Sequence, residues 1–148
     1  MIKNWLITGD THGKTAQRLA YIKEMMPEYK PEETAVIILG DVGFNYYKNK
    51  KDWKNKHQAS EFGYTLHCLR GNHEDRPSNY TSTCFTIMEE DPIVPSGYYF
   101  EPDYPDIWYA ADGSTFNING KRCLFIGGAY SIDKEYRIMM GWRWFADE

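Results

Sequence analysis

The first half of the chain alternates between short apolar runs and longer segments with helical spacing of apolar residues. Three apolar runs predict buried strands at Asn4–Thr8, Ala35–Leu39 and Thr65–Leu69. The two segments between them, Thr15–Met26 and Lys48–Phe62, predict helices. Because strands that alternate with helices form parallel sheets, the pattern predicts an α/β fold with right-handed crossovers.

The second half of the chain predicts mainly short strands and loops. A short strand is predicted at Cys84–Met88, whereas Asp91–Asp106 contains four prolines and predicts a loop. Three further strands are predicted as a meander with a hairpin turn at Asn119-Gly120: Ile107–Ala110, Ser114–Ile118 and Lys121–Ile126. A last helix is predicted at Asp133–Trp144. We therefore expect one domain over residues 1–148, with a partly antiparallel second sheet.

Polar side chains follow each of the first three predicted strands. Asp10 and His12 follow the first strand, Asp41 follows the second, and Asn72 and His73 follow the third. The carboxyl ends of parallel strands lie at one edge of a sheet, where ligands bind, so these side chains should converge there. Crowded carboxylates repel one another unless cations compensate them. The pattern therefore predicts a divalent cation site.

A glycine immediately precedes the polar residue at each of these strand ends: Gly9, Gly40 and Gly71. A chain that turns sharply beneath a ligand needs backbone freedom, which glycine provides. The threefold repetition supports a shared site at the three strand ends.

The donor types indicate which metals would bind. Oxygen and imidazole donors without cysteine suit Mn²⁺, Fe or Zn²⁺ better than an all-oxygen calcium cage. We expect one or two ions, with Mn²⁺ as the first choice. Asp41 comes from the middle of the three loops, so it is the candidate to bridge two ions.

Composition and charge narrow the possible classes. A net charge of −4 argues against a general nucleic-acid binder. The widely spaced cysteines, Cys68, Cys84 and Cys123, form no CxxC pair, which favours reduced thiols in a cytoplasmic protein. No apolar run approaches the roughly 20 residues of a membrane span, and the N-terminal apolar run is too short for a signal peptide. We expect no membrane partner.

The motifs at the three strand ends resemble a known family signature. Asp10-Thr11-His12, Gly40-Asp41 and Gly71-Asn72-His73-Glu74, about 30 residues apart, are similar to the motifs of calcineurin-like metallophosphoesterases. Residues 127–134 resemble a further segment in small bacterial and phage members. The resemblance implies a metallophosphoesterase-like α/β sandwich, and metal-dependent hydrolysis of phosphomonoesters or phosphodiesters by a metal-activated water.

The resemblance also implies a ligand set. Asp10 and His12 would hold one metal, and Asp41 would bridge both. Asn72 would bind the second metal and help to place the substrate phosphate.

Two further residues receive roles in the same way, and a third is a candidate because of its position in the sequence. His73 would act as the general acid toward the leaving oxygen or stabilise charge there, and would contact the phosphate. Glu74 would orient His73 by accepting its other ring proton. Arg70 flanks the motif, and it either meets a phosphate or forms a salt bridge to a neighbouring acid.

The chain departs from the family pattern in two places. Residues 42–45, Val-Gly-Phe-Asn, stand where many members have an acid or an arginine. Beyond His73 the chain has no histidine, whereas the family supplies later histidine ligands. We therefore expect a fold truncated at its C-terminal side, with three open alternatives: a shortened chain, ligands supplied by another chain, or a catalytically impaired remnant that binds a metal or a partner. An open apolar face favours a homo-oligomer that covers it.

Residues outside the motifs have structural interpretations. His57 lies in a charged segment and is expected on the surface. His67 lies within a strand and is expected to be a core histidine. Trp142, Trp144 and Phe145 are expected in the core or an interface rather than in a base-stacking platform. A dinucleotide-binding domain is disfavoured because no G-x-G-x-x-G turn follows the first strand.

Overall fold

A computed structural model describes residues 2–79, 85–89, 96–128 and 130–145 of the chain. Its elements, in chain order, are β1 (Asn4–Thr8), α1 (Thr15–Met25), β2 (Thr34–Leu39), α2 (Lys50–Ser60), β3 (Thr65–Leu69), β4 (Phe85–Glu89), β5 (Ser96–Phe100), β6 (Ile107–Ala110), β7 (Ser114–Ile118), β8 (Lys121–Phe125) and α3 (Lys134–Met139). Short 3₁₀ turns lie at Pro31–Glu33 and Pro77–Asn79.

A mixed six-stranded sheet forms the centre of the fold, in the order β1-β2-β3-β6-β5-β4. Strands β1, β2, β3 and β6 run parallel to one another, and β5 and β4 continue the sheet in antiparallel fashion. Strands β7 and β8 form a separate antiparallel hairpin. The predicted α/β fold with a partly antiparallel second sheet is confirmed.

Both faces of β2 are covered over most of its length, which explains its continuous apolar run. Val36 and Ile38 belong to a core cluster that contains Leu19 of α1. Ile37 points to the other face and packs in a cluster with Phe116 and Phe125 of the hairpin. Because successive residues of a strand face opposite sides, a strand between two layers must be apolar at every position.

The hairpin turn of the second sheet confirms the sequence prediction. Asn119 has φ of 51° and Gly120 has φ of 76°. Two consecutive positive φ values at the centre of a two-residue turn match the right-handed twist of the flanking strands, which is why Asn-Gly is favoured there.

Three predictions for the second half were wrong in part. The strand Ile107–Ala110 is no part of a meander, because it inserts into the main sheet between β3 and β5. Strand β5, Ser96–Phe100, lies inside the predicted loop Asp91–Asp106, of which residues 91–95 lie outside the described part. The last helix ends at Met139, and Gly141, with φ of 68°, follows it.

Several smaller expectations can be compared with the described residues. Cys68 and Cys123 are free thiols, and Cys84 lies outside the described range. His57 is exposed and stacks on Trp53, with 5.3 Å between ring centroids. In the described part of the chain, no helix has both the length and the apolar character needed to cross a bilayer.

His67 is a core histidine, as its place in β3 predicts. It is 5% exposed, and its Nδ1 lies 2.7 Å from the Tyr98 hydroxyl. Trp5 and Trp108 pack around the same ring. Burial lowers the pKa of His67 to about 4, because the cationic imidazolium loses its hydration there.

This burial predicts a pH dependence of stability. The unfolded chain takes up a proton at His67 near pH 6.5, whereas the folded chain takes it up only near pH 4. The contribution of His67 to the free energy of unfolding should therefore fall as the pH drops through this window, by about 2–3 kcal/mol at pH 4.5. Urea denaturation at pH 7.5 and 4.5 should show that the pH drop is less destabilising for His67→Phe than for the wild type, by about that amount. The exposed control His57→Gln should behave like the wild type, and an equal pH dependence of His67→Phe and the wild type would contradict this account.

Candidate metal centre

Backbone hydrogen bonds join the loops that follow β1 and β2. The N–H of His12 donates to the Asp41 carbonyl at 2.8 Å, and the N–H of Gly13 donates to the Val42 carbonyl at 2.9 Å. The Thr11 hydroxyl also donates to the Val42 carbonyl, at 3.2 Å. The two loops therefore hold a fixed relative position before any ligand binds.

The loop after β3 is tied to the same point. The N–H of His73 donates to Oδ1 of Asp41 at 2.8 Å. Asp41 is 6% exposed, so this bond and its neighbours fix the carboxylate in one orientation. Asp41 thus contacts both flanking loops, as its place in the middle of the three predicts.

Three predicted ligands form one group at the carboxyl edge of the sheet. One donor atom from each of Asp10, His12 and Asp41 lies within 4.8 Å of the other two. Nε2 of His12 lies 3.7 Å from Oδ2 of Asp10. Ligand bonds of about 2.0–2.2 Å place two donors on one cation at most about 4.4 Å apart. The three donors therefore fit one divalent cation after a shift of a few tenths of an ångström.

Two of these residues have an unfavourable backbone conformation. His12 has φ of 44° and Asp41 has φ of 45°, in the left-handed region that non-glycine residues rarely adopt. Such residues cost about 1–3 kcal/mol each and persist where the surrounding structure fixes them, as it often does at functional sites. Here the hydrogen bonds between the loops hold both residues in place.

Asn72 lies beside this group and is held by a residue that the sequence reasoning missed. Its Nδ2 donates to Oγ of Ser131 at 3.0 Å, and Ser131 in turn donates to Oδ1 of Asp133 at 2.6 Å. Ser131 is 4% exposed. It belongs to the segment 127–134 that the resemblance had marked, which was the available signal for it.

Two clefts border the group, and each takes in part of it. A polar cleft of about 400 Å³ is bordered by Asp10, Asp41, Asn72 and Arg70, among others. A second cleft of about 450 Å³ is lined by His12, Gly43, Tyr46, Tyr47, His73 and Trp142. All the predicted site residues except Glu74 border one of these clefts.

Comparison with known proteins agrees with this geometry. The family model described as calcineurin-like phosphoesterase matches residues 4–147, nearly the whole chain. This chain belongs to the calcineurin-like phosphoesterase family. No curated protein and no solved structure matched the chain. Membership implies divalent metal ions as cofactors and agrees with the group formed by Asp10, His12 and Asp41.

Glu74 does not have the contacts that we expected. Its Oε1 accepts the N–H of Gly71 at 2.9 Å and its Oε2 accepts the N–H of Gly43 at 3.3 Å. The carboxylate is 6% exposed, and these two bonds join two loops. Among the described contacts, Glu74 makes no hydrogen bond to the ring of His73, which was the expected contact. Burial raises the pKa of Glu74 to about 7, and the nearby Asp41 charge adds to the rise.

Arg70 forms the salt bridge that was one of its two expected roles. Its Nε donates to Oδ2 of Asp112 at 3.0 Å, and its Nη2 donates to the Gly127 carbonyl at 3.2 Å. The side chain still borders the polar cleft, where its positive charge faces the carboxylates. Contact with a phosphate there stays a prediction.

The physical constraint that favours glycine differs among the three strand ends. Gly40 has φ of 83°, which favours glycine. Gly71 allows close approach instead, because a Cβ there would lie 2.0 Å from Oδ1 of Asp41 and 2.2 Å from its backbone nitrogen. Gly9 has neither constraint, since a Cβ there would meet nothing within 4 Å. The single explanation from backbone freedom was therefore right only for Gly40.

Gly71 and Gly9 provide a matched pair of substitutions. Gly71→Ala should displace the Asp41 carboxylate, lower the free energy of unfolding by about 1–3 kcal/mol and weaken Mn²⁺ binding by roughly tenfold or more. Gly9→Ala should leave both quantities close to the wild type. Urea denaturation and isothermal titration with MnCl₂ measure the two effects. Equal Mn²⁺ affinity of Gly71→Ala and the wild type would show that the contact with Asp41 is unimportant for the metal.

Proposed function

We propose that this protein is a metal-dependent phosphoesterase that hydrolyses phosphomonoesters or phosphodiesters. The observation that carries the proposal is the convergence of Asp10, His12 and Asp41 at the carboxyl edge of the parallel strands. Family membership supports the reaction class. A bound divalent cation would supply Lewis acidity, which neutralises charge on the phosphoryl oxygens and lowers the pKa of a water molecule.

The chain's own residues would divide the work between holding and positioning. Asp10, His12 and Asp41 would hold the metal, and Asn72, at the rim of the same polar cleft as Asp10 and Asp41, would place the phosphate. Arg70 borders that cleft and would add positive charge next to the phosphate. Pre-formed donors around a fixed position stabilise developing charge without reorganisation during the reaction.

His73 would serve the leaving oxygen. It lines the second cleft together with His12, and the two rings lie 5.8 Å apart between centroids. An imidazole that lines this cleft would give a proton to an oxygen that leaves toward it. The backbone N–H of His73 bonds to Asp41, so the ring position follows the position of the metal ligands.

Mn²⁺ is the metal that we propose, with Fe and Zn²⁺ as the other candidates. The support is the donor set, two carboxylates and one imidazole without a thiolate. Elemental analysis of the purified protein would count the ions. One metal per chain would assign it to the Asp10–His12–Asp41 group, and two would require ligands beyond this group.

The central test is removal of the middle ligand. With Mn²⁺, the protein should hydrolyse bis-p-nitrophenyl phosphate or p-nitrophenyl phosphate. Asp41→Asn should lower kcat/KM by at least about 100-fold, because removing a metal ligand should cost more activity than removing a residue that only orients a ligand. Asp103→Asn changes an exposed carboxylate and serves as the control. If the folded wild type turns over neither ester, the alternative of a remnant that binds a metal or a partner without hydrolysis would replace this proposal.

A homo-oligomer stays a prediction, and an exposed apolar surface supports it. The side chains of Ile7, Leu39 and Ile126 are each 50% or more exposed, and Leu39 and Ile126 border the polar cleft. Ile7 is in register with Ile37, so it lies on the sheet face that packs against the hairpin. Apolar side chains grouped in this way favour association. A cytoplasmic location likewise stays a prediction, supported by the free thiols of Cys68 and Cys123.

Light scattering after size exclusion at micromolar concentration tests the association. We expect a mass of two chains or more, and Ile126→Glu should shift the protein toward one chain because it places a charge in the apolar surface. Met25→Glu, at an exposed position on α1 on the opposite side of the sheet, should leave the mass unchanged. A monomeric wild type would refute the prediction.

A further inference from the structure

We propose that the second cleft binds the nucleoside part of a nucleoside monophosphate, an assignment that rests on the proposed phosphoesterase function. The cleft has a volume of about 450 Å³ and is lined by three aromatic side chains, Tyr46, Tyr47 and Trp142. Pockets of roughly 300–1,000 Å³ with apolar and aromatic walls are typical of small-ligand sites. Planar aromatic rings on several sides favour a ligand that itself carries a planar ring.

The aromatic side chains are held in place by contacts outside the cleft. Tyr46 packs edge-on against Tyr47 and Phe145, at 4.9 and 6.1 Å between centroids. Trp142 packs edge-on against Tyr136 at 5.7 Å. Rings fixed in this way lose little conformational entropy when a ligand stacks on them, which improves affinity.

Hydrogen bonds of two arginines anchor the turn that carries Trp142. The guanidinium of Arg137, which is fully buried, donates from Nη2 to the Arg143 carbonyl. The N–H of Trp142 donates to the Arg137 carbonyl at 2.8 Å, and Nη2 of Arg143 donates to the Tyr47 carbonyl at 2.9 Å. This last bond joins the C-terminal turn to the loop after β2, so the two walls of the cleft are linked directly.

The exposed fractions of the rings separate two of the residues that the sequence assigned to the core or an interface. Phe145 is 8% exposed and belongs to the interior. Trp142 is 52% exposed, so it is no core residue, and its ring borders the cleft. An exposed tryptophan with braced neighbours next to a candidate metal group is the arrangement that a stacking base requires.

Position and charge select a mononucleotide among ligands with planar rings. His12 and His73 line this cleft and also border the metal group, so the ester bond would lie between the polar cleft and the aromatic one. In the reaction, the P–O bond to the ribose oxygen breaks, water supplies the new P–O bond, and the ribose oxygen leaves with a proton. The net charge of −4 disfavours a long polyanionic strand, and a cleft of about 450 Å³ has more room than a single phenol ring needs.

A matched pair of substrates tests the assignment. AMP and ribose 5-phosphate have the same ester group and differ only in the base. With Mn²⁺, kcat/KM for AMP should exceed that for ribose 5-phosphate by roughly tenfold, because stacking of one base is worth about that factor or more. Trp142→Ala should bring the ratio close to one, and Trp142→Phe should retain most of it. Trp53→Ala removes another exposed tryptophan, stacked on His57, and should leave the ratio unchanged.

Failure of this inference is distinguishable from failure of the proposed function. Hydrolysis of both substrates at equal efficiency would leave the phosphoesterase proposal intact and overturn the nucleoside assignment. A higher kcat/KM for phosphotyrosine than for AMP would assign the cleft to an aryl ester and also overturn it. If no ester is hydrolysed, calorimetric titration with adenosine decides: binding that is lost in Trp142→Ala supports the nucleoside assignment, and no binding to the folded wild type overturns it.

Discussion

The site depends on one residue that bonds to both neighbouring loops. The carbonyl of Asp41 accepts the N–H of His12, and its Oδ1 accepts the N–H of His73. The parallel sheet brings three loops to one edge, but strand pairing alone leaves the loops free to move relative to one another. These two bonds, with Glu74 accepting N–H groups from the second and third loops, convert nearby loops into a fixed set of donors.

The backbone conformation at the site follows from the same constraint. His12 and Asp41 both adopt positive φ, which costs free energy that the loop hydrogen bonds must offset. Gly71 must be glycine because the second and third loops approach within the volume that a Cβ would occupy. The motifs therefore encode close contact between loops as well as the candidate metal ligands.

Sequence reasoning succeeded where the signal is local. Apolar runs followed by glycine and a polar residue placed β1, β2 and β3, and the loops that carry Asp10 and Asp41. It failed where long-range pairing decides the outcome: β6 enters the main sheet beside β3, which its own pattern cannot specify. The contacts of Glu74 and Ser131 were missed for a related reason, because their partners are a backbone amide and a side chain brought close only by the complete fold.

The anchoring of the C-terminal turn by the buried Arg137 separates two tasks along the chain. The candidate metal donors come from strand ends in the first half, whereas Trp142, which lines the aromatic cleft, comes from a turn far away in the sequence. During evolution, the residues that line the aromatic cleft could thus change while the candidate metal donors stay the same. Relatives with identical motifs would then diverge in the esters they accept, and motif similarity alone would be a poor guide to their physiological substrates.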